Sequence, residues 1–173
     1  MILWEGYMFG FLFGFWKRRT FRRMERLVSI AQIAVSLKLM GDCGLHLTTS
    51  DDEQNAVAQK AAAGANYLFG KSPSPMHAHL DLAAEHAAAR EWLTKNSSMR
   101  ELVVQSLRVT RVIDWSRSGF IPETGEMGID LLETFGHEYP DSPSVETYEA
   151  LVRRVVAAMP PSREQQRLTA ALR

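Results

Sequence analysis

Residues that start and end helices recur along this chain from residue 21 onward. Three serines each stand three positions before an acidic or amide side chain, the pattern of a capping box that opens a helix: Ser50 with Glu53, Ser98 with Glu101, and Ser162 with Gln165. Residues that end helices follow the apolar stripes at four places: Gly41, Gly70, Gly136 and Pro160. No run alternates apolar and polar residues for long enough to indicate a strand. The sequence therefore predicts an all-α fold, a small bundle of about five to seven helices with an aromatic N-terminal appendage.

Apolar residues recur at helical spacing between these signals. We expect helices over residues 21–41, 51–69, 75–95, 99–115, 126–135, 143–159 and 163–172. The clearest stripe is in the sixth helix and contains Val145, Tyr148, Leu151, Val152, Val155 and Met159. Ser74 and Pro75 have the types expected at the cap and first position of the third helix, and Ser142 is expected to cap the sixth.

The length of 173 residues is typical of one domain with a short appendage. We assign residues 1–20 to a hydrophobic N-terminal appendage with a basic flank, and residues 21–173 to a helical globular domain. The single cysteine, Cys43, excludes an intrachain disulfide and with it a disulfide-stapled secreted scaffold. A reducing compartment is the simpler interpretation, so we expect a cytoplasmic protein.

The net charge of zero hides a strong segregation of charge along the chain. Residues 1–26 contain six basic and two acidic groups, and residues 153–173 contain five arginines and one glutamate. Residues 118–152 contain eight acidic groups and no lysine or arginine. A solvated acidic face is the simplest explanation of this block. The alternative is a docking surface for a basic partner or for the basic ends of the protein itself.

A possible metal site lies in the predicted third helix. His77, Asp81 and Glu85 are spaced i, i+4, i+8, so adjacent members of the row could share a metal ion. The spacing matches no zinc or di-iron signature, and a metal would need further ligands from elsewhere in the fold. A solvated face of charged side chains is the competing interpretation.

The N-terminal segment is aromatic and glycine-rich, and we expect a membrane or a partner to bury it. Its candidate contact residues for a membrane or a partner are Trp4, Gly6, Gly10, Gly14, Trp16, Lys17, Arg18 and Arg19. In a helix the three glycines share one face, the small-residue pattern that lets two helices approach closely. The tryptophans and the basic residues resemble an aromatic belt and a positive cytoplasmic flank.

Three interpretations of this segment remain open. Residues 1–16 would rise only about 24 Å as a helix, against roughly 30 Å of hydrocarbon, so a short or interfacial membrane anchor fits better than a full span. An aromatic helix that packs on the body or on a partner chain is the second interpretation. Translation that starts at Met8 or Met24 is the third.

No catalytic motif emerges from the sequence, which favours a non-enzymatic interaction or regulatory protein without a cofactor. We expect a protein partner and, as a second possibility, attachment to the inner face of a membrane through the aromatic and basic N-terminal segment. Nucleic-acid binding through the basic run is disfavoured because the whole chain has no net charge. The alternative is a metal-binding protein or hydrolytic enzyme that uses His77, Asp81 and Glu85. The oligomeric state is not indicated by the sequence.

Overall fold

A computed structural model describes the backbone of residues 3–45, 50–118 and 126–173, and the side chains of residues 18–45, 50–117 and 128–173. Within these ranges the chain forms seven α-helices and no strand: α1 Leu3–Asp42, α2 Asp51–Leu68, α3 Leu82–Lys95, α4 Ser97–Ser118, α5 Glu126–Phe135, α6 Val145–Ala157 and α7 Arg163–Ala171. Two short 3₁₀ turns, Pro75–His77 and Gly136–Glu138, lie before α3 and after α5. The predicted all-α bundle is confirmed. The appendage cannot be compared with its prediction, since the side chains of residues 1–17 lie outside the described ones.

Two of the three predicted capping boxes open helices. The Ser50 hydroxyl accepts a hydrogen bond from the Glu53 amide at 3.3 Å, and the Ser162 hydroxyl accepts one from the Gln165 amide at 3.0 Å. Each bond satisfies one of the amides that a helix N-terminus leaves without an intrahelical partner. At the other end of α2, Gly70 takes the left-handed conformation with φ +63°, as predicted for a helix stop.

The other two predicted caps are wrong by one or two residues. Helix α4 already begins at Ser97, because the Asn96 carbonyl accepts the first helical hydrogen bond, from the Arg100 amide at 2.9 Å. Ser98 therefore lies inside the first turn, and Asn96 alone separates α3 from α4. Helix α6 is capped by Ser144, whose hydroxyl accepts from the Thr147 amide at 3.1 Å, so Ser142 precedes the cap.

Helix α1 is the central element of the bundle and contacts α2, α4, α6 and α7. Its buried residues are Leu27, Ile30, Ala31, Ala34, Val35 and Leu39. The predicted stripe is confirmed over Tyr148, Leu151, Val152 and Val155 of α6, all of which are buried, and Met159 is also buried but lies after the end of the helix. The predicted boundary between residues 20 and 21 falls inside α1, which continues across it without a break. The two-part division of the chain stays a prediction.

Helices α1, α2 and α3 come into close contact at Gly64. A Cβ atom at this position would lie 3.1 Å from the Leu39 side chain and 3.2 Å from the Ala89 Cβ, closer than such atoms normally approach. Glycine therefore lets α2 sit against its two neighbours. In contrast, a Cβ atom on Gly41 of α1 would meet nothing within 4 Å.

The predicted helix over residues 75–95 is wrong in its first two turns. Residues 75–77 form a 3₁₀ turn capped by Ser74, and the chain then changes direction before α3 begins. Asp81 causes the new start, since its carboxylate accepts a hydrogen bond from the Ala84 amide at 3.2 Å and caps α3. His77 is buried in the turn, with 3% of its surface exposed. His77, Asp81 and Glu85 therefore do not form a row on one helix.

Candidate functional site

The structure does not bring the predicted metal ligands together. His77 lies in the buried turn, the carboxylate of Asp81 caps α3, and Glu85 lies one turn into that helix. Within the described ranges, no group of three or more histidine, cysteine, aspartate or glutamate side chains is placed to hold a metal ion.

The predicted contact residues of the N-terminal segment are only partly visible. For Trp4, Gly6, Gly10, Gly14, Trp16 and Lys17 only the backbone is described, so their contacts lie outside the described part of the structure. Arg18 and Arg19 are described, and both are exposed on α1. Of the helices and residues that the structure describes, none is both long and apolar enough to cross a membrane.

A basic cavity of about 380 Å³ lies between α1, α6 and α7. We call it the arginine pocket; its lining residues are Arg19, Arg23, Arg26, Leu27, Ile30, Glu149, Arg153, Ala171, Leu172 and Arg173. Helical spacing explains why three of the arginines converge, because residues 19, 23 and 26 follow each other at i, i+4 and i+7 on one face of α1. Leu27 and Ile30 are buried beneath them and form an apolar floor.

Among the described residues, Glu149 is the only acidic side chain that lines the arginine pocket. Its Oε2 atom accepts a hydrogen bond from Arg23 Nε at 2.9 Å, and its Oε1 atom accepts one from Arg153 Nε at 2.9 Å. The hydrogen bonds from Arg153 and then Arg23 lower the pKa of Glu149, so the carboxylate stays ionised at neutral pH. One carboxylate thus lies between two guanidinium groups, and the pocket keeps a positive excess.

Two of these arginines also have a structural role. Arg26 donates a hydrogen bond to the Ala171 carbonyl, and Arg153 donates one to the Leu172 carbonyl. Carbonyls at the end of a helix have no intrahelical donor and carry the negative end of its dipole. The two arginines therefore fasten the last turn of α7 to α1 and α6.

The acidic block of residues 118–152 is used in part by arginines of the same chain. Besides Glu149, Glu138 accepts a hydrogen bond from Arg100 at 2.9 Å, and Asp130 pairs with Arg90. Glu146 lies 3.8 Å from Arg23. Since Arg23 belongs to the N-terminal basic run, the structure supports the interpretation in which the acidic block pairs with the basic ends of the protein itself.

A second polar cluster, which the sequence analysis missed, lies in a groove of about 530 Å³ between α2, α3 and α5. The Tyr67 hydroxyl donates to Asp130 at 3.2 Å and accepts from Arg90 Nη2 at 2.9 Å. The His86 ring is stacked on the Tyr67 ring, with centroids 4.3 Å apart and planes at 13°. Burial lowers the pKa of His86, so the ring is neutral at pH 7.

Two of the four residues in this cluster could have been connected from the sequence alone. His86 and Arg90 are four residues apart on a predicted helix, so they share a face. Tyr67 and Asp130 are 63 residues apart, and no local pattern connects them. The hydroxyl of Tyr67 uses its proton and its lone pairs within the cluster, which makes it a clamp between three helices rather than a nucleophile.

No family model, curated protein or solved structure matches this chain.

Proposed function

We propose that this chain is a non-enzymatic interaction protein that binds an anionic membrane surface, at its cytoplasmic face, through the basic end of α1. The observation that carries the proposal is a pair of exposed arginines, Arg18 and Arg22, which we call the basic ridge. They are four residues apart on one face of α1, beside the face that lines the arginine pocket. Neither has a hydrogen bond or ion pair to another described residue, so both are available to a partner.

The charge on this end of the bundle is large enough for such a role. Each lysine or arginine near an anionic lipid surface contributes about 1 kcal/mol of attraction, and the effect decays within roughly 10 Å at 0.1 M salt. The basic ridge and the arginine pocket place five arginines, Arg18, Arg19, Arg22, Arg23 and Arg26, on about two turns of α1. The aromatic residues expected at the N-terminus would add interfacial contacts.

An exposed tryptophan at the same end supports the proposal. Arg117 of α4 pairs with Glu25 of α1 at 2.5 Å, so the end of α4 lies beside the basic part of α1. Trp115, two residues earlier, has 62% of its surface exposed. Tryptophan is enriched where proteins meet the membrane–water interface. The protein partner expected from the sequence stays a prediction, for which exposed Trp115 and Val112 are the candidate contacts.

Vesicle co-sedimentation of the full chain tests the proposal. The chain should bind vesicles of phosphatidylcholine with 30% phosphatidylserine and should leave pure phosphatidylcholine vesicles in solution. Arg18→Gln with Arg22→Gln should weaken binding roughly 30-fold, because two charges at about 1 kcal/mol each are lost. Added salt should weaken it further.

Lys60→Gln with Arg163→Gln is the matched control. It removes the same charge at two exposed positions, one on α2 and one at the start of α7. Ser162 and Glu164 border the same cavity as Gly41 and Asp42, so Arg163 lies at the opposite end of α1 from the basic ridge. Equal binding to neutral and anionic vesicles, or an equal loss in the control, would overturn the proposal. A salt-dependent gel shift with DNA or RNA in place of vesicle binding would point to the nucleic-acid alternative.

A further inference from the structure

The arginine pocket contains more positive charge than the fold itself neutralises. One cavity is lined by the arginines Arg19, Arg23 and Arg26 of α1, Arg153 of α6 and Arg173 after α7, and Glu149 is the only acidic side chain among its described lining residues. These five arginines exceed Glu149 by four charges, or by three once Glu146, which lies 3.8 Å from Arg23, is counted as well. Like charges this close repel one another, and a bound anion would relieve that repulsion.

The structural contacts also leave hydrogen-bond donors unused. A guanidinium group carries five N–H donors. Arg19 makes no hydrogen bond or ion pair with another described residue, and Arg26 uses one donor on the Ala171 carbonyl. Arg23 and Arg153 share the two oxygens of one carboxylate. Donors from Arg19 and Arg26 therefore remain available inside a cavity of about 380 Å³.

The shape and charge of the pocket favour one class of anion. Guanidinium groups bind phosphate oxygens in pairs, and a phosphate monoester carries between one and two negative charges at pH 7, which matches the excess better than a diester with one charge. The buried side chains of Leu27 and Ile30 line the same cavity. They can cover the first carbons of the ester, a contact that inorganic phosphate cannot make.

We propose that the arginine pocket binds the phosphomonoester group of a small molecule or of a lipid headgroup of the phosphatidic acid type. The lipid source rests on the membrane binding proposed above, whereas the soluble source does not. Arg19 and Arg26 supply the donors, Arg23 and Arg153 supply further positive charge, and Glu149 holds those two side chains in place.

Two pairs of ligands distinguish a soluble phosphomonoester from a lipid headgroup. Calorimetric titration of the full chain with glycerol 3-phosphate, a monoester, is compared with glycerophosphoglycerol, a diester. Vesicles that contain phosphatidic acid are compared with phosphatidylglycerol vesicles adjusted to the same surface charge. We expect at least tenfold tighter binding of the monoester within the pair that matches the natural source.

Two variants locate the preference. The double variant Arg19→Gln with Arg26→Gln should abolish the preference for the monoester, and Arg19→Gln alone should reduce it. The double variant also loses the hydrogen bond from Arg26 to the Ala171 carbonyl, which could loosen α7. The single variant removes no hydrogen bond within the described residues and therefore tests the pocket by itself. Arg18→Gln with Arg22→Gln should leave the preference for the monoester intact while weakening binding to all anionic vesicles.

The outcomes distinguish this inference from the proposed function. Preference for glycerol 3-phosphate without any vesicle binding supports the pocket and overturns the membrane proposal. Preference for phosphatidic acid vesicles alone supports the lipid source. Vesicle binding that depends only on surface charge, with no monoester preference in either pair, overturns the inference and leaves the membrane proposal standing. A preference that survives both pocket variants overturns it as well.

Discussion

The hydroxyl groups of Tyr148 and Ser106 lie 2.6 Å apart in the core between α6 and α4. Ser106 also donates to the Leu102 carbonyl of its own helix at 2.6 Å, so Tyr148 is the donor and Ser106 the acceptor in the bond between them. Burial raises the pKa of Tyr148 far above its usual value of 10, which keeps the phenol neutral and able to donate. Both side chains are fully buried.

This direction predicts unequal costs for the two deletions. Ser106→Ala leaves the Tyr148 hydroxyl buried without an acceptor and should lower the free energy of unfolding by about 2 kcal/mol. Tyr148→Phe leaves Ser106 bonded to Leu102 and should cost about 1 kcal/mol. In urea denaturation the double variant should lose less than the sum of the two single variants. Equal single costs would show that the bond does not run in this direction, and costs that add fully would show that the two hydroxyl groups do not interact.

Two glycine substitutions should have opposite signs. Gly64→Ala places a Cβ atom 3.2 Å from the Ala89 Cβ, which is fixed to α3, so the helices must separate slightly. The strain of about 1–3 kcal/mol should exceed the gain in helix propensity of about 1 kcal/mol. Gly41→Ala meets no atom within 4 Å and should raise the unfolding free energy by about 0.5–1 kcal/mol. Thermal unfolding by circular dichroism compares the two, and a stabilised Gly64→Ala variant would contradict the packing described here.

The arginine pocket should make stability fall in acid. The pKa of Glu149 is lowered below its usual 4.5 by Arg153 and Arg23, so the unfolded chain binds the proton more readily than the folded one. The stabilisation is complete above pH 4.5 and is lost as the pH falls through the lowered pKa. Glu149→Gln should therefore flatten the pH dependence of the urea midpoint below 4.5. Glu133→Gln, at an exposed position on α5, should leave it unchanged.

His86 should add a pH dependence nearer to neutrality. Because burial lowers its pKa below the usual 6.5, the unfolded chain takes up this proton first, and stability should fall as the pH drops below 6.5. His86→Phe keeps a ring against Tyr67 and should remove the part of the slope below pH 6.5 that His86 causes. Histidine titration by NMR gives a direct check. A His86 pKa at or above 6.5 would contradict the burial of this ring beside Arg90 and Asp130.

The correctly predicted parts of the fold depend on short-range signals. Residue spacing and local hydrogen bonds decide structure over one or two helical turns. The caps at Ser50 and Ser162 and the apolar stripe of α6 depend only on residues that lie this close together. The break between residues 77 and 82 was missed because Asp81 can serve either inside a helix or as a cap. Burial of His77 depends on the rest of the fold, and local spacing contains no information about it.

The candidate sites were less predictable than the helices. The basic run and the acidic block are visible in the sequence, and their pairing was one of the alternatives. The particular pair of Arg23 with Glu149 joins residues 126 apart, and only the packing of α6 on α1 brings them together. The same packing brings Arg153 into the pocket, which no charge count along the chain could have shown.

Arg22 and the core residue Leu27 belong to one uninterrupted helix, with no turn or glycine between them. No flexible hinge therefore separates the basic ridge from the rest of the helical bundle. A membrane bound to Arg18 and Arg22 would therefore constrain the orientation of the whole bundle relative to the membrane plane. The far end of α1 near Leu39, about 25 Å along the axis, would then be presented to other molecules at one fixed height and angle.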